Sequence, residues 1–168
     1  MCVLLNHGAD VNAYGPRGHP LVSACGSGHV EVVRLMLEDG ASVYGPDGLR
    51  ALHTASASGH AGVVRLLLQY HVDVNVTVFR GQTVFHCAIF YTEVIELLLE
   101  YGANVNAQGA VNRTVMCIAS ECGVLESVRI LLRHAADVHI RVALNWTPFQ
   151  VATKTPYKEL TRERDNMI

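Results

Sequence analysis

The chain has 168 residues, enough for one domain with a sizeable core, and 50% apolar against 17% charged residues argues against intrinsic disorder. A formal net charge of −2 gives no drive toward nucleic acid or an anionic membrane, so neither is expected as a partner. The longest apolar runs, such as Leu66-Leu67-Leu68, fall far short of the ~18 residues a membrane span needs.

The start, Met1-Cys2-Val3-Leu4-Leu5, has no basic segment and soon reaches Asn6-His7-Gly8, unlike a signal peptide. The five cysteines, Cys2, Cys25, Cys87, Cys117 and Cys122, show no disulfide framework. They read as reduced thiols, which places the chain in the cytoplasm or nucleus. Lys154 and Lys158 are the only lysines, and an arginine-rich surface suits desolvated contacts with a protein.

In chain order, Met1 to Asn12 supplies the last turns of a helix with no helix before it. Val3, Leu4 and Leu5 lack the polar outer face of a terminal cap, so a cut from a longer chain is expected. After Tyr14-Gly15-Pro16-Arg17, a turn, His19-Pro20-Leu21-Val22 opens a helix with Pro in its first turn. Gly28-His29 turns the chain into a second helix that buries Val32, Val33, Leu35 and Leu37 and ends at Gly40. A tip at Tyr44-Gly45-Pro46-Asp47 precedes Arg50-Ala51-Leu52-His53, the turn Gly59-His60 and the buried Val63, Val64, Leu66, Leu67 and Leu68.

The next tip, Phe79-Arg80-Gly81-Gln82, leads to Thr83-Val84-Phe85-His86, with Thr83 as helix cap. Between Ala88 and Leu97 this unit is two residues short and lacks Gly-His, so a tighter turn exposing Phe90 or Tyr91 is expected. Gly102 ends the following helix. The tip Gly109-Ala110-Val111-Asn112-Arg113, then Thr114-Val115-Met116-Cys117 and the turn Gly123, begin another pair. Leu144-Asn145-Trp146 and Thr147-Pro148-Phe149-Gln150 open a last, degenerate unit. A polar tail follows, in which Leu160-Thr161-Arg162-Glu163-Arg164 reads as a short closing helix.

The helix ends align. Leu4 to Asn12, Met36 to Tyr44, Leu67 to Asn75, Leu98 to Asn106 and Leu131 to His139 share one pattern, with the glycine position at residues 8, 40, 71, 102 and 135. The spacings of 32, 31, 31 and 33 residues mark an internal repeat. Small Ala24, Ala55, Ala88, Ala119 and Ala152 recur where first helices would meet. His71 and Ala135 replace glycine at a left-handed position, a strain of roughly 1–2 kcal/mol each.

These residues resemble the ankyrin-repeat family, whose repeat reads Thr-Pro-Leu-His, Ala-Ala, Gly-His, Val-Val, Leu-Leu-Leu, Gly-Ala, Val-Asn. The tips and Gly-Pro turns look similar to long arrays in fungal multidomain proteins. The resemblance implies a mainly α solenoid of stacked helix-turn-helix units with short hairpin or loop tips. It spans residues 1–160: a partial repeat at 1–13, repeats near 14–44, 45–75, 76–106 and 107–139, a degenerate one at 140–160, and a polar tail at 161–168. It also implies structural bridging by His53 and His86, and marks Asn12, Asn75 and Asn106 as the family's Val-Asn position, where some members are hydroxylated.

Chemistry is not evident. No glycine is followed by lysine, so no phosphate loop exists, and Gly26-Ser27-Gly28 is a helix-ending turn rather than a nucleophile elbow. Cys117 and Cys122, and His134 and His139, are spaced five apart and match no zinc pattern. Glu93, Glu96 and Glu100, like Arg34, Arg65 and Arg129, read as solvated helix faces. No enzyme activity, cofactor or metal is expected.

The resemblance implies a protein partner in the concave groove. The candidate contacts are Tyr14, Arg17, Tyr44, Asp47, Arg50, Phe79, Arg80, Arg113 and Trp146, since aromatic and arginine side chains anchor interfaces. The chain is expected as a monomer or part of a longer scaffold. The alternatives are a ubiquitin-ligase substrate adaptor, for which residues 153–168 show no apolar recruiting box, and a targeting or regulatory domain of an enzyme encoded elsewhere.

Overall fold

The computed structural model describes residues 10–15, 18–78, 81–142 and 145–154. Helices come in pairs. The first pair is α1 (Pro20–Gly26) and α2 (Val30–Glu38), the second α3 (Gly45–Ala57) and α4 (Ala61–Gln69). The third is α5 (Val84–Cys87) and α6 (Thr92–Glu100), the fourth α7 (Val115–Cys122) and α8 (Leu125–Arg133), and α9 (Pro148–Lys154) follows. First helices pack on first helices, α1 on α3 on α5 on α7 on α9, and second helices on second helices, α2 on α4 on α6 on α8. The expected mainly α solenoid is therefore observed.

The core follows the repeat. Leu21, Leu52, Phe85 and Met116 fill the first-helix layer at equivalent positions, and Met36, Leu67, Leu98 and Leu131 fill the second; all are buried. Each such side chain contributes about 1.5–3 kcal/mol. Ala55, Ala88, Ala119 and Ala152 are buried between first helices, and Ala24 is partly buried. In α2, however, Val33, Met36 and Leu37 are the buried set, while Val32 and Leu35 are only half-buried. Residues i, i+3 and i+4 face the core, and among the described residues α2 has a second-helix neighbour on one side, α4.

Threonine sets where first helices start. The Thr114 Oγ1 accepts the Cys117 N–H at 3.3 Å, and Thr147 exchanges bonds of 2.9 and 3.4 Å with Gln150 in a capping box. The tips ahead of these helices are closed by Val78 N–H to Gln82 O at 2.7 Å, Gly109 to Arg113 at 2.8 Å and Val142 to Trp146 at 2.9 Å. Each has a left-handed residue two positions before the threonine: Gly81, Asn112 and Asn145.

The second pair breaks this scheme. Arg50 occupies the threonine position, its guanidinium cannot accept a hydrogen bond, and unlike His19 at the same position of the first pair it is not followed by a proline. Helix α3 runs back to Gly45, with Pro46 in its first turn. The expected tip at Tyr44-Gly45-Pro46-Asp47 is thus corrected: Gly45, Pro46 and Asp47 are the first turn of a 13-residue helix. A Cβ at Gly48 would overlap the Val43 carbonyl, so only glycine lets the helix lie there.

Asparagines tie neighbouring units together. The Asn75 amide donates to Gly102 O at 3.0 Å and accepts the Asn104 N–H at 2.8 Å; Asn12 does the same with Gly40 and Ser42, at 3.1 and 2.8 Å. The Asn106 Oδ1 accepts the Asp137 N–H at 2.8 Å. Tyr44 stands at the equivalent position of the first pair and is exposed.

The shortened third pair is repaired by its neighbours. Helix α5 has four residues, leaving the Ile89 carbonyl beyond its end. The buried Ser127 hydroxyl on α8 donates to it at 2.6 Å. Val32, Val63 and Val94 hold the position of Ser127 in the other second helices. The Tyr91 ring lies against Gly59 as the His60 ring lies against Gly28, so it fills the place of the missing histidine. Phe90 is exposed, as expected, and Tyr91 is only marginally so.

Gly40 and Gly102 end their helices at φ 84°, and His71 and Ala135 take the same left-handed role at φ 62° and 58°. Replacement His71→Gly is therefore expected to raise stability by about 1 kcal/mol; a thermal melt with no gain, or a loss, rejects this. Replacement Ser127→Val restores the residue used by the other repeats but strands the Ile89 carbonyl. It is expected to cost about 1–3 kcal/mol, and an unchanged urea midpoint would contradict that.

Candidate partner-binding face

The first helices and the tips form one face of the stack. Of the expected contact residues, Arg17, Phe79 and Arg80 lie outside the described residues. Tyr14 is 65% exposed, and its hydroxyl donates to the two Asp47 carboxylate oxygens at 2.6 and 2.7 Å. That bond pushes the Tyr14 phenol up from its ordinary value. The ring also meets His19 edge-on, with centroids 5.5 Å apart. Tyr14 and Asp47 therefore use their polar groups on each other and link the first described tip to α3.

Arg50 and His53 project from α3 into an open depression of about 500 Å³, completed by Pro46, Leu49, Thr77, Val78 and Gln82. This depression lies between the extended α3 and the tip of the next unit. Arg113 is engaged elsewhere: its guanidinium pairs with Glu121 and its carbonyl accepts from His86. Trp146 is half-buried and Tyr44 is 75% exposed; neither lines the depression. Leu49, His53, Val78 and Gln82 were not among the expected contacts. Their signal in the sequence is Arg50 in place of the capping threonine.

Two histidines of this face, His53 and His86, are held neutral. His86 accepts on Nδ1 from the Thr83 N–H at 3.3 Å, with the Thr83 hydroxyl 2.8 Å from the same nitrogen. Its Nε2–H donates to Arg113 O at 3.0 Å, bridging two units as expected. Burial lowers the His86 pKa against the opposing pull of its backbone bonds, and burial lowers that of His53. His53 does not bridge backbone groups, because Arg50 replaces the threonine partner; its Nε2 lies 3.1 Å from Cys87 Sγ. Burial pushes the Cys87 thiol up, so this pair is neutral and lacks the thiolate of an activated nucleophile. Burial likewise pushes Cys25 up to about 12 and raises Cys117.

On the second helices, Arg34 pairs with Glu31 at 3.6 Å and Arg129 with Glu126 at 3.5 Å, all exposed. Among the described residues no three His, Cys, Asp or Glu side chains converge, and no helix is long and apolar enough to cross a membrane.

Stacked helix pairs, asparagine bridges and paired core layers define a helical-repeat solenoid. The family model described as ankyrin repeats matches three times, over residues 1–78, 42–109 and 76–142, and the chain belongs to the ankyrin-repeat family. It is similar to human Rabankyrin-5, with 41% identity over 43% of this chain and 6% of the relative. Likeness to the mouse B-cell lymphoma 3 protein homolog is 32% over 63% of this chain and 24% of the relative. That to the Caenorhabditis elegans ankyrin repeat and KH domain-containing protein mask-1 is 31% over 84% and 5%. The chain thus spans a quarter or less of each relative's length.

Neutral His53 and His86 make stability depend on pH. The unfolded chain takes up protons near the ordinary imidazole value of about 6.5, and the folded chain only at lower pH. Their contribution is complete above 6.5 and is lost as pH falls from there toward the lowered folded values. The urea midpoint at pH 5.5 is expected to lie below that at pH 7.5, with a smaller gap in His53→Gln, His86→Gln protein. Equal midpoints in the wild type would show that these imidazoles are not held neutral.

Proposed function

We propose that this array binds a partner protein on the face of its first helices and tips, centred on the depression beside Arg50. Ankyrin repeats are protein–protein interaction modules, and that family membership carries the reading. The depression supports it locally, because half-buried Leu49 and Val78 stand beside exposed Arg50 in a site that the core does not use. The reading makes the chain an interaction module rather than a catalyst, acting as a segment of a longer intracellular scaffold. The neutral Cys87–His53 pair is consistent with it.

The test is an affinity capture from the native source with quantitative mass spectrometry. It compares wild type, Leu49→Asp, and Arg65→Ala on the exposed face of α4, after circular dichroism confirms that each folds. Wild type and Arg65→Ala are expected to capture the same protein, and Leu49→Asp at least tenfold less. Equal capture by all three, or loss with Arg65→Ala alone, would move the interface off this face.

A further inference from the structure

We propose that the depression at Arg50 takes an extended peptide segment of the partner in which a carboxylate side chain neighbours an apolar one. This rests on the reading above and adds the partner's chemistry.

The argument begins with Arg50. Asp47 lies three residues earlier on α3, the spacing at which a carboxylate ordinarily pairs with an arginine on a helix. Arg34 with Glu31 and Arg129 with Glu126 show that pairing on α2 and α8. On α3 no such ion pair is present, and the Asp47 oxygens instead face the Tyr14 hydroxyl, at 2.6 and 2.7 Å. Arg113, one unit after the depression, is closed by Glu121. Among the described residues Arg50 makes no ion pair or side-chain hydrogen bond; its charge is felt by the Tyr14 phenol, and it is exposed at the wall of the depression. An open guanidinium presents a planar fork that matches a carboxylate.

The other walls specify what accompanies the carboxylate. Leu49, Pro46 and Val78 offer apolar contact, and the Gln82 amide offers a donor and an acceptor for a peptide group. The volume of about 500 Å³ falls among sites that take a few side chains. A phosphate backbone is a poorer match, since it needs a row of cations and this chain carries a net charge of −2. The irregular start of α3 brings Arg50 and Leu49 to this place, so the chemistry belongs to this chain and not to the repeat in general.

The experiment selects a display library of random twelve-residue peptides against the whole chain, then measures synthetic copies of the enriched peptides by fluorescence anisotropy. Enriched peptides are expected to share an Asp or Glu beside Leu, Ile, Val or Phe. Arg50→Ala should weaken binding about tenfold or more, as should Asn or Gln in place of the peptide's acid on wild-type protein. The two changes together should add little to either alone. Lack of enrichment, enriched peptides without a carboxylate, or affinity indifferent to Arg50→Ala would each overturn the proposal. If Leu49→Asp abolishes binding while Arg50→Ala does not, the acidic preference fails and the binding face stands. If neither matters, both fail.

Discussion

Among the described residues, no helix pair covers its own apolar surface. The inner second helices, α4 and α6, bury a stripe against the helix before and the helix after, as Leu67 does between the layers of Met36 and Leu98. Among the described residues, each pair therefore draws stabilising contacts from its neighbouring units as well as from within itself. The side chains that cross the junctions are bound by this constraint. Asn12, Asn75 and Asn106 pair with backbone groups of the next loop, and His86 and His60 pair with carbonyls 27 and 34 residues away. These bonds fix the spacing of the units while the apolar layers supply most of the free energy.

A unit that shortens must be compensated across its junctions. Loss of a turn from α5 leaves the Ile89 carbonyl without a helical partner, and an unpaired buried carbonyl costs about 1–3 kcal/mol. Ser127 meets it from a unit further along, at the position where other units carry valine. On the other side, Tyr91 covers Gly59 with a ring in place of the absent histidine. Both substitutions look like drift from the repeat when read alone, yet each matches a specific gap left by the truncation.

The sequence made the fold legible because its signals are periodic. Left-handed residues at 40, 71, 102 and 135 and the caps at Thr83, Thr114 and Thr147 recur in register, and each takes the expected conformation. The face that would bind a partner was only half legible. Tyr14 and Asp47 were both named, but sequence spacing cannot show that they bond to each other across 33 residues. The course of residues 44–47 is hard to read from sequence because Gly-Pro suits both a tip and the first turn of a helix. Ser127 and Tyr91 were illegible because their roles depend on a three-dimensional gap in another unit.

The junction between the first and second pairs shows how one departure frees residues for another use. Two devices of the repeat are missing there: the capping threonine, replaced by Arg50, and the bridging asparagine, replaced by Tyr44. Their loss lets α3 extend to Gly45, which replaces a closed tip with a helical turn carrying Asp47, Leu49 and Arg50. The extended helix is held from the other side by Tyr14, and Gly48 lets it lie against the Val43 carbonyl. A capping threonine is committed to the backbone, whereas an arginine on an extended helix is committed to nothing in its own unit. The same substitution that removes a structural bond thus places an unpaired cation beside apolar walls. In a solenoid whose stability is spread over many junctions, one junction can bear that change without unfolding its neighbours.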